Sequence, residues 1–238
     1  MKIYYIYHSG FAMETENCKF IFDFYKTTGY NTGDFDLETF LGGDKKIYIF
    51  SSHSHGDHFN PEILDWNEKS KITYILSDDI KVNKTIREKI QNIYFVKAGD
   101  VLNIDGIDIK VFGSTDEGVS FYVECEGNRV FHAGDLNWWY WSDDTPEEIK
   151  YMKDLYFGII DDIKGAVKEI DYLFYPVDPR LEENSFLGVE YFIDNIDVKN
   201  IIPMHCWSNF KIGVELKERL KDRNVKVIAA DKNLNRIV

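Results

Sequence analysis

Ser52-His53-Ser54-His55-Gly56-Asp57-His58 packs three histidines and an aspartate into six positions, directly after the apolar run Lys46 to Phe50. A strand that ends in such a loop projects imidazoles and a carboxylate into one small volume. These nitrogen and oxygen donors suit Zn²⁺ and its borderline neighbours. Two later segments repeat the arrangement. His132-Ala133-Gly134-Asp135 closes the strand-like run Arg129 to His132, and the small Ala133 and Gly134 let the backbone come close while both flanking side chains turn toward a common point. Pro203-Met204-His205 follows Asn200 to Ile202, again putting a histidine at the C-terminal end of a strand, where layered α/β folds collect their sites. Five of the six histidines fall in these three segments.

Outward from these motifs, strand-like runs occupy Ile3 to Tyr7, Phe20 to Phe24, Lys46 to Phe50 and Ile72 to Leu76. Asn60-Pro61 signals a helix running toward Lys69, and Ser77 to Gln91 reads as a second. Ile107 to Phe112, Val119 to Cys125 and Arg129 to His132 read as consecutive strands, the last two joined by a turn at Glu126 to Asn128. Gly10 to Asp23 and Gly118 to Asp135 each run strand, polar turn, strand, aspartate, the pattern of an internal duplication. Thr145-Pro146-Glu147-Glu148 is a capping box, and it opens a helix inside a segment, about 136–168, that reads as an insertion. Strands at Tyr172 to Tyr175, Asn200 to Ile202 and Val225 to Ala229 alternate with helices near Gly188 to Asn195 and Lys211 to Lys221. That alternation predicts a layered α/β fold in a single domain over 1–238.

Composition narrows the function classes. At 238 residues and 44% hydrophobic content, the chain can bury a sizeable core. Forty-one acidic against 28 basic residues leave a net charge of −13, a field that repels polyanions, so a small molecule rather than nucleic acid is the expected partner. No run approaches the ~18 apolar residues of a membrane span, and the N-terminus lacks a signal-peptide pattern. Cys18, Cys125 and Cys206 form neither a C-x-x-C pair nor an even set, which predicts reduced thiols and a cytoplasmic home. The sequence indicates no oligomeric state.

Together, H-x-H-x-D-H, H-A-G-D and P-M-H resemble the metallo-β-lactamase fold superfamily of hydrolases. Tyr7-His8-Ser9-Gly10-Phe11 and Phe22-Asp23 further resemble the opening of its small lactonase-like branch. The resemblance covers essentially the whole chain. It implies a four-layer αββα sandwich with the site at the sheets' shared edge. It also implies two metal ions, Zn²⁺ with Mn²⁺ or Fe²⁺ as alternatives: His53, His55 and His132 on the first, Asp57, His58 and His205 on the second, and Asp135 bridging. Two such ions about 3.5–4 Å apart turn a shared water into hydroxide near neutral pH and stabilise the oxyanion its attack creates. The expected activity is therefore hydrolysis of a small ester, lactone or phosphodiester. A non-hydrolytic metal-binding protein or a di-iron redox protein is the alternative.

Departures from the family pattern act by exclusion. Asp135 stands where dizinc β-lactamases carry a cysteine, the acidic charge disfavours the RNA-processing members, and the flavin domain of flavodiiron reductases does not follow before Val238. Ser52 replaces the usual Thr and keeps its hydroxyl.

Around the ligands, Asp57 is expected to coordinate and to orient a proton. His8 is a candidate for substrate contact or proton transfer, or else caps a turn. Asp23, with Ser52 beside the ligand loop, is expected to orient a metal-bound imidazole through its second nitrogen. Trp138, Trp139 and Trp141 are candidates to wall a substrate or to pack the insertion. Arg180 is a candidate clamp for a carboxylate or phosphate, with a pair to Asp178 as the alternative. Cys206 reads as packing.

Overall fold

The computed structural model describes residues 1–26, 35–68, 71–230 and 237–238. They gather into two compact units, Met1–Lys97 with Ala230–Val238, and Ala98–Ala229. Each unit is built on one sheet.

The first sheet holds β1 (Lys2–Tyr7), β2 (Gly10–Glu14), β3 (Cys18–Phe22), β4 (Lys46–Ser51), β5 (Ile72–Ser77) and β6 (Ile93–Val96), in that spatial order. β1, β2 and β3 form an antiparallel meander, and β3 to β6 pair in parallel. Two antiparallel steps restore direction, so β1, β3 and β4 run the same way and end at one edge. Alternation then sorts the side chains. Ile21, Ile49 and Ala12 join one core cluster, while Phe20, Phe22, Tyr48 and Phe50 stack on the other face, with Phe22 and Phe50 centroids 4.8 Å apart. Both faces are buried, which is why these strands read as continuous apolar runs. Ile3 exchanges backbone bonds with the chain's last residues, Ile237 and Val238.

Three expectations in this unit change. The strand expected to reach Phe24 stops at Phe22, because Asp23 takes a left-handed φ of 42°. The segment after Asn60 is a 3-10 helix over Pro61–Glu68, begun by an i to i+3 bond from Ile63 N–H to Asn60 O, and Lys69 lies outside the described residues. The helix expected over Ser77 to Gln91 shrinks to α2 (Lys84–Lys89), which follows α1 (Leu37–Leu41) in the chain. Ser77 instead closes β5 opposite Val96, and the Asn83 side chain starts the helix by accepting from Thr85 N–H.

The second sheet runs β7 (Val101–Ile104), β8 (Ile107–Gly113), β9 (Val119–Cys125), β10 (Asn128–His132), β11 (Glu169–Pro176), β12 (Asp197–Met204) and β13 (Lys226–Val227). β7 to β10 are antiparallel and β10 to β13 parallel. Asp105-Gly106 and Glu126-Gly127 turn its two-residue hairpins with positive φ at both positions, as type I′ turns require. An antiparallel pair followed by parallel strands occurs in both sheets, so the repeat suspected between Gly10 to Asp23 and Gly118 to Asp135 is a shared topology.

The 136–168 segment carries α3 (Pro146–Ala166), the crossover between parallel β10 and β11. Its capping box forms as expected, with Thr145 and Glu148 each bonding the other's backbone N–H. Tyr156, Ile159, Ile160 and Ile163 are its buried residues, at i, i+3, i+4 and i+7. α4 (Leu187–Asn195) packs on β12, and α5 (Lys211–Arg219) on β13. Among the described residues no helix is long and apolar enough to cross a membrane.

Candidate metal centre

In the first unit every candidate residue follows the C-terminal end of a strand that ends at the same edge: His8 after β1, Asp23 after β3, and the 52–58 loop after β4. Asp23 is fully buried and accepts three hydrogen bonds, from Ser52 N–H at 2.7 Å, Ser52 Oγ–H at 2.6 Å and His58 Nδ1 at 2.7 Å. A carboxylate can only accept, so the His58 proton sits on Nδ1 and its Nε2 presents a lone pair. Ser52 Oγ gives its proton to Asp23 and lies 2.9 Å from His53 Nδ1, which makes it an acceptor for that ring. One buried acid thus governs two imidazoles. His53 and His58 are themselves buried, with rings 4.1 Å apart, and the exposed His55 meets His53 edge-on at 4.6 Å. Ser54 N–H donates to Asp79, tying the loop to the end of β5.

Asp57 Oδ2 lies 3.3 Å from His8 Nε2 and 4.0 Å from His58 Nε2, and donor atoms of all three residues fall within 4.8 Å of one another. Burial pushes the Asp57 carboxyl up, but the hydrogen bond from His8 and the charges of His58 and His8 outweigh it and hold the group well below the usual carboxylate range. Asp57 is therefore an anionic oxygen donor beside imidazole nitrogens.

In the second unit the parallel strands β10, β11 and β12 end together. His132 closes β10, and Gly134 (φ 54°) then turns the chain so that Asp135 follows, with Gly134 N–H donating to His132 Nδ1 at 3.2 Å. Thr115 and the Trp139 indole hold the Asp135 to Asn137 backbone, the indole N–H donating to Asp135 O at 2.9 Å. His205 follows β12, with Nε2 3.4 Å from Asp135 Oδ1 and Nδ1 2.9 Å from Asp178 Oδ2. Asp178, which follows β11, is buried. Burial raises its carboxyl, but hydrogen bonds from His205 and Arg180 prevail and hold it far below the usual range.

Arg180 is half-exposed and grips Asp178 through Nε at 2.9 Å and Nη2 at 2.5 Å, the paired arrangement given above as the alternative to a free clamp. The tryptophans divide. Trp138 packs on Tyr156, Phe157 and Tyr191 of α3 and α4, the insertion-packing role. Trp139 meets the His205 ring edge-on at 5.6 Å and stacks on Trp141. Cys206 is buried, and no disulfide links the described cysteines.

Sequence reasoning passed over Asp178 as a partner of His205, and Trp207 altogether. The available signal was position, since Asp178 lies just past the end of β11 and Trp207 two residues after His205. A second mark is structural: His8, Asp23, His205 and Trp207 all take positive φ, between 42° and 59°, a costly conformation for non-glycine residues that collects at functional sites.

Residues 2–205 match a model of the beta-lactamase superfamily domain. A UPF0173 metal-dependent hydrolase of Alkaliphilus metalliredigens is 25% identical over 257 residues, spanning 99% of this chain and all of that one. Among solved structures, a metallo hydrolase of the hyperthermophilic archaeon Ignicoccus hospitalis has a TM-score of 0.70 at 17% identity, covering 97% of this chain and 95% of its own. The diiron β-hydroxylase CmlA of Streptomyces venezuelae has a TM-score of 0.66 at 10% identity, covering 95% of this chain and 52% of its own. At these identities the two structural likenesses speak to fold.

Proposed function

This chain belongs to the beta-lactamase superfamily and has its α/β metallo-β-lactamase fold, and from that premise we propose that it is a dinuclear metal-dependent hydrolase of small esters, lactones or phosphodiesters. In this reading His53, His55, Asp57, His58, His132, Asp135 and His205 would hold the two ions, divided as the family resemblance implies. The observation that carries it is the Asp23–His58 pair, because a buried carboxylate has already placed the imidazole proton on the nitrogen away from the ligand position. The donor chemistry fits Zn²⁺, with Mn²⁺ or Fe²⁺ as alternatives: five imidazoles and two carboxylates, without a thiolate.

Bound there, two divalent ions supply a water ionised near neutral pH and a charge to stabilise the oxyanion formed on attack. The chain's own groups do the rest. His8 Nε2 lies 3.3 Å from Asp57 Oδ2, so a proton on that nitrogen would orient the Asp57 carboxylate. Trp139 and Trp141 lie beside His205 and Arg180, where an apolar portion of a substrate would find indole surface. The −13 charge favours a small molecule over nucleic acid or an anionic membrane. Three cysteines without a disulfide among them fit a reducing cytoplasm.

The curated relative's name, metal-dependent hydrolase, supports this reading. Metal analysis of purified protein, with turnover of lactone, ester and phosphodiester panels, tests it. Two Zn²⁺ or Mn²⁺ per chain and hydrolysis lost in His58→Ala are expected. Two irons per chain, with visible absorption and oxygen consumption in place of hydrolysis, would move the chain to the redox alternative.

A further inference from the structure

Among the ligands of the proposed metal site, His205 has a support that the ligand set leaves unexplained. Asp178 Oδ2 lies 2.9 Å from His205 Nδ1, and the same carboxylate is gripped by Arg180: Nε is 2.9 Å from both oxygens, Nη2 is 2.5 Å from Oδ2, and the backbone N–H is 2.8 Å from Oδ1. The guanidinium in turn lies over two indoles, 5.6 Å from the Trp141 centroid and 5.9 Å from that of Trp207. Trp139 and Trp207 meet the His205 ring edge-on at 5.6 and 6.3 Å.

We propose that Asp178 and Arg180 are positioning residues for His205, and that the Trp141–Arg180–Trp207 stack is the device that holds them in place. A carboxylate has no proton to give, so Asp178 keeps the His205 proton on Nδ1 and leaves Nε2 as the donor atom. Nε2 sits 3.4 Å from Asp135 Oδ1, close to the about 3.3 Å that separates two donors on one tetrahedral ion with bonds of about 2.0–2.1 Å. Arg180 sets the direction of the carboxylate. Its planar fork spans both oxygens while its charge lies over two indole rings, a combination that a lysine ammonium cannot reproduce. The backbone carries the cost, with His205 at φ 59° and Trp207 at φ 53°. The arrangement gives Trp141 and Trp207 a specific task, holding a cation that aims an acid at a ligand.

This inference rests on the metal-site reading, and its test separates the two. Protein labelled with ¹⁵N-histidine is loaded with Zn²⁺, and the ring nitrogens of His205 are assigned by long-range proton–nitrogen correlation. Metal affinity is then measured by competition with a chromophoric chelator for wild type, Arg180→Ala, Arg180→Lys and Asp178→Asn. The expected result is a proton on Nδ1 and none on Nε2 in wild type. Affinity should fall about 10–100-fold in Arg180→Ala and Asp178→Asn, with Arg180→Lys recovering only part of it. Metal-free Arg180→Ala should stay folded but melt below wild type, since the variant leaves the buried Asp178 carboxylate without its cation, and affinity is compared at a temperature where both are folded. A proton on Nε2 in the loaded wild type overturns the proposal even if the variants misfold. So does wild-type affinity in folded Arg180→Ala, and in that case the hydrolase reading stands. Failure of the wild type itself to bind metal overturns both.

Discussion

Asp23→Asn perturbs the support of the first unit's candidate ligands with almost no change in volume. Asp23 accepts from Ser52 N–H at 2.7 Å through Oδ1, and from Ser52 Oγ–H at 2.6 Å and His58 Nδ1–H at 2.7 Å through Oδ2. Asparagine keeps the first bond and sets an NH₂ group against the two donors of the second pair. To avoid donor facing donor, His58 must move its proton to Nε2, the atom proposed to bind metal. Losing such support costs about 10–100-fold in metal affinity, or about 1.4–2.8 kcal/mol. The fold suffers too. Two hydrogen bonds to a buried charge are worth about 3–6 kcal/mol if neither is replaced, and rotation of the Ser52 hydroxyl recovers part, leaving about 3 kcal/mol. For a chain of this length that lowers the Tm by about 6–12 °C. Chelator competition and thermal unfolding of the metal-free protein measure the two terms separately. Metal affinity within twofold of wild type in folded Asp23→Asn would refute the reasoning, because the His58 tautomer would then not depend on Asp23.

Other perturbations reach the scaffold. Gly188→Ala puts a Cβ into the Asn137 side chain, 2.9 Å from the Tyr175 hydroxyl and 3.0 Å from Trp138 N. Backbone and a buried tyrosine cannot yield cheaply, so about 1–3 kcal/mol of stability is lost, and an unchanged melting curve contradicts the packing described. Arg129 and Asp171 form an ion pair joining β10 to β11. Burial raises the Asp171 carboxyl, but the hydrogen bonds from Arg129 and Lys199 prevail and lower it from 3.8 to about 2. A depressed carboxyl stabilises the fold fully above pH 3.8 and loses that contribution as pH falls toward 2. With allowance for solvent screening this amounts to about 1–2 kcal/mol. Urea unfolding of wild type and Asp171→Asn should differ by that much at pH 6 and converge near pH 2, and an undiminished gap at pH 2 contradicts it.

How much of this was legible in the sequence depended on how local the signal was. The placement of the candidate segments at strand ends could be read because each puts its donors within a few residues of an apolar run, and the run itself announces the strand. Asp23 could be read for the same reason. The partnership of Asp178 with His205 was not legible, since 27 positions separate them and only the parallel pairing of β11 with β12 brings their ends together. Ser77 to Gln91 misled because Ile80, Ile86 and Ile90 suit a helical face, while pairing of Ser77 with Val96 is a distant contact that local pattern cannot show. β7 was overlooked although Asp105-Gly106, a strong hairpin dipeptide, stood before Ile107. The tryptophan run could not be divided by inspection either. Which indole packs α3 and which meets His205 is decided by the turn after Asp135, which the Thr115 hydroxyl holds in place.

Titration of metal-free protein with Zn²⁺, following hydrolysis of a responsive lactone or ester, tests the central claim most directly. The account predicts no turnover without metal, full turnover at two equivalents per chain, and loss again on chelation. Turnover that survives exhaustive chelation, or that saturates at one equivalent with no second ion bound, would contradict it.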